Sequence, residues 1–180
     1  IPLRLVGSEM CIRDRLKAID DCDIRPSEKF IRALIVAEDR RFMFHLGVDP
    51  ISIARAIYMT IFAGRLQGAS TIEAQLVRTV TGRREITFSR KIREIVVSIL
   101  VSMLRSKERI ASTYLNVAYF GFRTHGVTYA ASRIGFSVDS CPEVQIFFLI
   151  AMLKRPLSQS GNRTNLAAIE RRAAWIARNF

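Results

Sequence analysis

The hydrophobic positions of this 180-residue chain recur at helical spacing almost throughout. Phe30, Leu34, Ala37 and Arg41 mark one helical face, with Ile31 and Ile35 beside it. Pro26–Ser27 opens that helix, and the pattern carries it toward Met43. Asp49–Pro50 opens a second helix, "ISIARAIYMTIFAG", with proline in the first turn, where a missing N–H costs nothing. Gly64 and Gly68 bracket a short loop. Ser70 begins a third helix, and Ser70-x-x-Glu73 has capping-box spacing. "TGRRE", 81–85, reads as a basic loop. Helices follow over Phe88–Leu104 and from Lys107 to about Tyr119. "FGFRTHG", 120–126, predicts a loop, and a short helix starts at Val127. Pro142 opens the apolar helix "EVQIFFLIAMLK". A last amphipathic helix covers about 165–178, with Trp175 on its apolar side. No segment sustains period-two alternation between turn residues, and no internal repeat occurs. The pattern predicts an all-α domain with few strands.

Composition narrows this picture. With 49% hydrophobic residues the chain can build a core, which excludes a disordered class. Its length suits one domain, or one with a small appendage. Lys and Arg number 28 against 16 Asp and Glu, for a net charge of +12, which favours polyanions or anionic membrane surfaces. The longest clean apolar run, 95–104, has 10 residues, and a bilayer span needs about 20. Cys11, Cys22 and Cys141 have no paired spacing, so neither a metal knuckle nor a disulfide framework is expected. Residues 7–15, "GSEMCIRDR", look like a translated sequencing adapter. Residues 1–15 are therefore expected to be non-native, and 16–180 to form the domain, truncated at both ends.

Three stretches carry candidate chemistry. Glu38 and Asp39 lie near the end of a helix that wants to be buried; a carboxylate beside apolar walls makes a usable general base, although the local sequence alone favours a salt bridge to Arg40 or Arg41. Gly68-Ala69-Ser70-Thr71 precedes a helix whose first N–H groups are free, an arrangement that binds anions or simply caps the helix. Gln75 and Arg78 follow one and two turns later. Arg90-Lys91-x-x-Glu94 places both cations within one turn of a carboxylate, either as a surface pair or at the edge of the apolar run that follows.

Taken in order, these stretches resemble the motifs of the glycosyltransferase domain of peptidoglycan polymerases, the family of monofunctional transglycosylases and class A penicillin-binding proteins. Glu38, Asp39, Phe42, His45 and Gly47 complete its first motif, Glu-Asp-x-x-Phe-x-x-His-x-Gly, with Asp49 beyond. Gly68-Ala69-Ser70-Thr71-Ile72-x-x-Gln75-Leu76 is similar to the second, with Arg78 where lysine is usual. Arg90, Lys91 and Glu94 complete the third. The fourth is matched by Lys107, Arg109, Ile110, Tyr114-Leu115-Asn116 and Phe120-Gly121. The fifth is represented by Gly126, Ala130-Ala131, Glu143 and Leu153-x-x-Pro156. Three places depart from the pattern. Ser112 replaces a family glutamate, Ile134-Gly135-Phe136-Ser137 stands for Tyr-Phe-Gly-Lys, and Ile86 occupies a basic position for which Arg83 or Arg84 could substitute.

The resemblance implies an all-α, lysozyme-like domain with a larger lobe and a smaller membrane-facing lobe. It implies an inverting transferase that joins the lipid-linked disaccharide-pentapeptide lipid II to a growing lipid-linked glycan strand and releases polyprenyl pyrophosphate. Glu38 and Glu94 would be catalytic, Glu38 as the base. Asp39, His45, Ser70, Thr71, Gln75, Arg78, Arg90, Lys91 and Asn116 would bind substrate, the cations and hydroxyls at the pyrophosphate. No cofactor is required, although Glu94 could act through a divalent Mg or Mn ion instead of holding the cations. Expected partners are the membrane surface and other cell-wall synthesis proteins, with no nucleic acid, on the periplasmic face of a bacterial inner membrane. The lipid is expected against "IYMTIFAG", 57–64, followed by Arg65, a segment whose pattern suits an interfacial helix and a core helix alike; "IFFLIAML", 146–153, is the fallback. Two rivals stay open: a lysozyme-like lytic enzyme acting on the same polymer, and a non-catalytic relative that binds lipid-linked glycan.

Overall fold

A computed structural model describes residues 25–64, 68–82, 87–159 and 163–180. The adapter-like segment, Cys11, Cys22, Arg65, Arg83, Arg84 and Ile86 lie outside the described residues. The elements are α1 (Glu28–Glu38), a 3-10 turn (Phe42–Phe44), α2 (Pro50–Phe62), α3 (Ile72–Thr81), α4 (Phe88–Leu104), α5 (Lys107–Val117), β1 (Tyr119–Gly121), β2 (Thr124–His125), α6 (Val127–Arg133), α7 (Glu143–Lys154) and α8 (Arg163–Asn179). The all-α reading holds.

The core forms where α1 packs on α7, α7 on α8, and α3 on α5. Phe30, Ala33 and Leu34 of α1 are fully buried at i, i+3 and i+4 spacing. Helix α7 is buried nearly all round, at Ile146, Phe147, Leu149, Ile150, Ala151 and Met152. The segment held in reserve for lipid is therefore core.

Several boundaries differ from the sequence pattern. Helix α1 stops at Glu38 instead of running toward Met43, because Asp39 leaves helical geometry (φ −156°, ψ 81°) to bury its side chain. The capping box at Ser70 does not form. Thr71 is the N-cap, accepting from the Ala74 N–H at 3.2 Å, and Glu73 turns into the interior instead of back to the cap. Helix α5 ends at Val117, and the expected loop 120–126 holds a small antiparallel hairpin pairing Tyr119 with His125 and Gly121 with Thr124. The hairpin is held by the chain beyond α7: Phe122 N–H donates to Leu157 O at 3.0 Å, and Leu157 N–H donates to Phe120 O at 3.1 Å. A period-two test misses strands this short. Trp175 sits at the rim of α8 under the Arg40 guanidinium, 5.0 Å from the ring centre, while Ile169 and Ile176 face the core.

Helix α4 inverts the usual arrangement. Glu94, Ser98 and Val101 are its buried residues, while Phe88, Ile92, Val96, Leu100 and Met103 form an exposed apolar stripe. Helix α2 behaves similarly: only Ala56 is buried, and Ile61 and Phe62 are 68% and 74% exposed. The core reading of this segment thus fails: the large apolar side chains of α2 face outward.

Gly47 makes the approach of α4 possible. It has φ +81°, and a Cβ there would lie 2.4 Å from the Ser98 carbonyl oxygen. Gly47→Ala is expected to cost about 2–5 kcal/mol from backbone strain plus overpacking. Gly64→Ala, also at positive φ but facing open space, should show only the strain, about 1 kcal/mol. Chemical denaturation of both variants checks the difference.

Candidate active site

Glu38 ends α1, which fixes its backbone while leaving its carboxylate at the helix terminus. Both oxygens are held. Oε1 accepts from Arg172 Nη2 at 2.7 Å, and the same nitrogen donates to Ala37 O at 2.9 Å. Oε2 accepts from Gln75 Nε2 at 3.1 Å, and Gln75 Oε1 accepts from the Tyr114 hydroxyl at 2.7 Å. The Glu38 side chain retains 12% exposure, so the carboxylate is reachable and mostly desolvated. Neither local salt bridge exists: Arg41 pairs with Asp49 at 3.2 Å, and Arg40 donates to Asn179.

Asp39 points the other way, into a buried polar cluster. Its Oδ2 meets His45 Nε2 at 3.0 Å and accepts the Ile72 N–H at 3.3 Å. Burial pushes its carboxyl above the ordinary range, against the pull of His45 and that N–H. On the far side of His45 lies Glu73, fully buried, which accepts from Lys107 Nζ at 2.5 Å. Lys107 also donates to His45 O at 2.6 Å and stacks over the Phe42 ring. Asp39, His45 and Glu73 offer metal-ligand atoms within 4.8 Å of one another. The ammonium of Lys107 supplies positive charge beside Glu73. Asp49 caps α2 through the Ile51 N–H and the Ser52 hydroxyl; burial would raise its carboxyl, but these bonds and Arg41 outweigh it and hold it low.

A separate cleft of about 350 Å³ opens between α2, α3 and α4. Ser70, Thr71 and Lys91 supply its polar edge, and Ile53, Ala56, Ile57 and Ile95 its apolar wall. Thr71 and Gln75 lie one turn apart on α3, so the cleft and the Glu38 centre are joined by one helix, about 6 Å along its axis. Glu94 is 4% exposed and takes Arg90 Nη1 at 2.6 Å on one oxygen and Lys91 Nζ on the other. This is no surface pair: a buried carboxylate fixes two partly buried cations, of which Lys91 lines the cleft.

The sequence-derived residues fall into place unevenly. Gln75 serves Glu38 instead of standing ready for phosphate. Arg78 is exposed on α3, near enough to Tyr114 to influence its hydroxyl. Asn116 does not join the Lys91 cleft; with Ser112 it lines a cleft of about 580 Å³ between α1 and α5, and its carbonyl packs against Gly126. Motif spacing missed Arg172, one of many basic residues on an amphipathic helix. It also gave no role to Tyr114, Lys107 or Glu73, whose partners lie more than thirty residues away.

A family model described as Transglycosylase matches residues 17–180. Penicillin-binding protein 1A of Escherichia coli (strain K12) is 36% identical over 152 residues, covering 83% of this chain and 18% of that protein. Penicillin-binding protein 1A of Rickettsia felis is 35% identical over 155 residues, 83% of this chain and 20% of its own length. Penicillin-binding protein 1B of Haemophilus influenzae is 38% identical over 148 residues, 79% of this chain and 19% of its own length. The chain spans about a fifth of the length of these relatives.

The buried cluster yields a stability test. Lys107→Met leaves Glu73 charged and uncompensated, and should cost about 3–5 kcal/mol. Adding Glu73→Gln removes the stranded charge and should restore most of that loss in urea denaturation.

Proposed function

The chain belongs to the transglycosylase family, and from that premise we propose that it polymerises lipid II into glycan strands, with inversion at the anomeric carbon and release of polyprenyl pyrophosphate. The observation that carries this reading is the shape of the Lys91 cleft: hydroxyls and a fixed cation on one edge, an apolar wall on the other, with Thr71 one helical turn from Gln75, the residue that bonds Glu38. A lipid pyrophosphate has the same two-sided chemistry.

In this reaction Glu38 accepts the proton of the attacking sugar hydroxyl. As negative charge develops on the leaving pyrophosphate, Lys91 and Arg90 stabilise it, with Ser70 and Thr71 as neutral donors. Arg78 and Asn116 contact more distant parts of the substrate. Glu94 acts by holding the two cations in place. Both of its oxygens are engaged by Arg90 and Lys91, so a Mg or Mn ion at Glu94 would compete with them, and the positive charge proposed for the pyrophosphate is the protein's own. Asp39 and His45 act from behind, fixing the turn that ends α1. Ser112, in place of the family glutamate, lines the other cleft, which supports an intact Glu38 centre over a non-catalytic relative. A lytic enzyme would have no use for Arg90 and Lys91, and cleavage of purified polymer without lipid-linked substrate is not expected.

No helix among the described residues is long and apolar enough to cross a membrane. We place the domain on the periplasmic surface of an inner membrane, with the exposed apolar faces of α2 and α4 set into the interface and other wall-synthesis proteins as further partners.

Two measurements test this. Glu38→Gln should lower polymerisation of lipid II by about 10²–10⁴-fold with the fold intact, since glutamine keeps the shape but cannot take the proton; near-parental turnover would overturn the assignment. Ile61→Glu and Phe62→Glu should weaken binding to anionic vesicles while circular dichroism and melting temperature barely move. The basic surface adds attraction worth about 1 kcal/mol per side chain held near the lipid. Loss of fold with vesicle affinity unchanged would exclude the membrane role of α2.

A further inference from the structure

We infer that Tyr114 is a positioning residue for the transfer reaction, acting through Gln75 to fix the carboxylate of Glu38. This rests on the reading of Glu38 as the base. A primary amide has two ends, and only one of them suits a carboxylate. If the oxygen of Gln75 faced Glu38, two acceptors would meet and repel. The acceptor-only carboxylate therefore takes Nε2, at 3.1 Å from Glu38 Oε2, and the Tyr114 hydroxyl secures that orientation from the far end by donating to Gln75 Oε1 at 2.7 Å.

The hydroxyl is suited to this one-way role. The Tyr114 ring is buried, and burial first, then the nearby Glu38 charge, pushes its ionisation up. It therefore stays protonated and remains a donor across the working range. The three side chains come from three helices, α5, α3 and α1, so the relay has little slack of its own. Arg172 from α8 grips the other oxygen of Glu38 at 2.7 Å. Together the two contacts fix rotation of the carboxylate about its terminal bond, and that rotation sets which lone pair faces the incoming hydroxyl.

Tyr114→Phe keeps the ring and removes only the donor. The expected result is a drop in kcat of about tenfold to a hundredfold with KM little changed, since a loosened base costs orientation and not binding. Melting temperature should stay near the parental value. In a double-mutant cycle, Tyr114→Phe should add nothing to Gln75→Ala, because the tyrosine acts only through that amide. A packing role would make the two losses add. A second readout is independent of turnover: the side-chain amide signal of Gln75 in a ¹⁵N–¹H spectrum should move in Tyr114→Phe. Parental kcat in Tyr114→Phe beside an inactive Glu38→Gln, or an unmoved Gln75 signal, overturns the relay alone. Parental polymerisation by Glu38→Gln overturns the base assignment, and the catalytic role of the relay falls with it.

Discussion

The end of α1 depends on one buried carboxylate. Asp39 could have continued the helix, and its neighbours offer nothing to stop it. It leaves because its side chain finds two donors inside, the His45 ring and the Ile72 N–H. A buried carboxylate is tolerated only when paired, so this bond fixes three things at once. It ends α1 at Glu38, ties the following turn to the start of α3, and brings Glu73 and Lys107 into the same cluster. Glu38 and Asp39 are adjacent in the chain yet face opposite ways. Glu38 meets Arg172 and Gln75 with its side chain partly exposed, whereas Asp39 turns into the buried cluster.

Helices α2 and α4 show the complementary constraint. Polar or small residues, Glu94, Ser98 and Ala56, take up much of their inward faces, and most of their large apolar side chains face out. In water that arrangement forgoes about 25 cal/mol for each Å² of apolar surface left exposed. A fold that leaves an uninterrupted stripe exposed from Phe88 to Met103 is shaped for contact with something apolar. The same inversion lets Glu94 be buried beside its two cations, because the inward face of α4 is its polar one. The exposed apolar stripe and the cation placement thus have a common origin in the rotation of one helix.

Much of this was legible in the sequence, and the rest failed for identifiable reasons. The boundaries of Phe88–Leu104 followed from periodicity alone, and Asp49 and Pro50 marked the start of α2. Periodicity gave α4 its two faces but could not say which of them was buried. The rule that apolar means inside fails where lipid is the expected neighbour. The capping box at Ser70 failed because Glu73 had a stronger competing partner, Lys107, which lies 34 positions away. The motifs named Glu38, Lys91 and Glu94, but the grip of Arg172 on Glu38 spans 134 positions and leaves no local signal. Gln75 was found as a polar residue at the right spacing, but its bonds to Glu38 and Tyr114 were not, since spacing shows which residues share a face and not what faces them.

The two halves of the site also differ in how firmly they are built. Glu38 stands on the packed layer of α1, α3, α5, α7 and α8, whose side chains make up most of the core. The side formed by α2 is lighter: α2 buries one residue and touches the other helices only slightly among the described residues. Local stability follows buried contact, so α2 belongs to the part of the molecule that opens at least cost. That division suits the proposed chemistry. A base must be held within a fraction of an ångström of its working position, whereas a surface that receives a long, disordered lipid gains from yielding. Helix α3 joins the two regimes, with Thr71 at the yielding cleft and Gln75 one turn later on the rigid base. A ligand seated at the Thr71 end of α3 would therefore be linked to the proposed base through one helical turn and one hydrogen bond, that of Gln75 to Glu38.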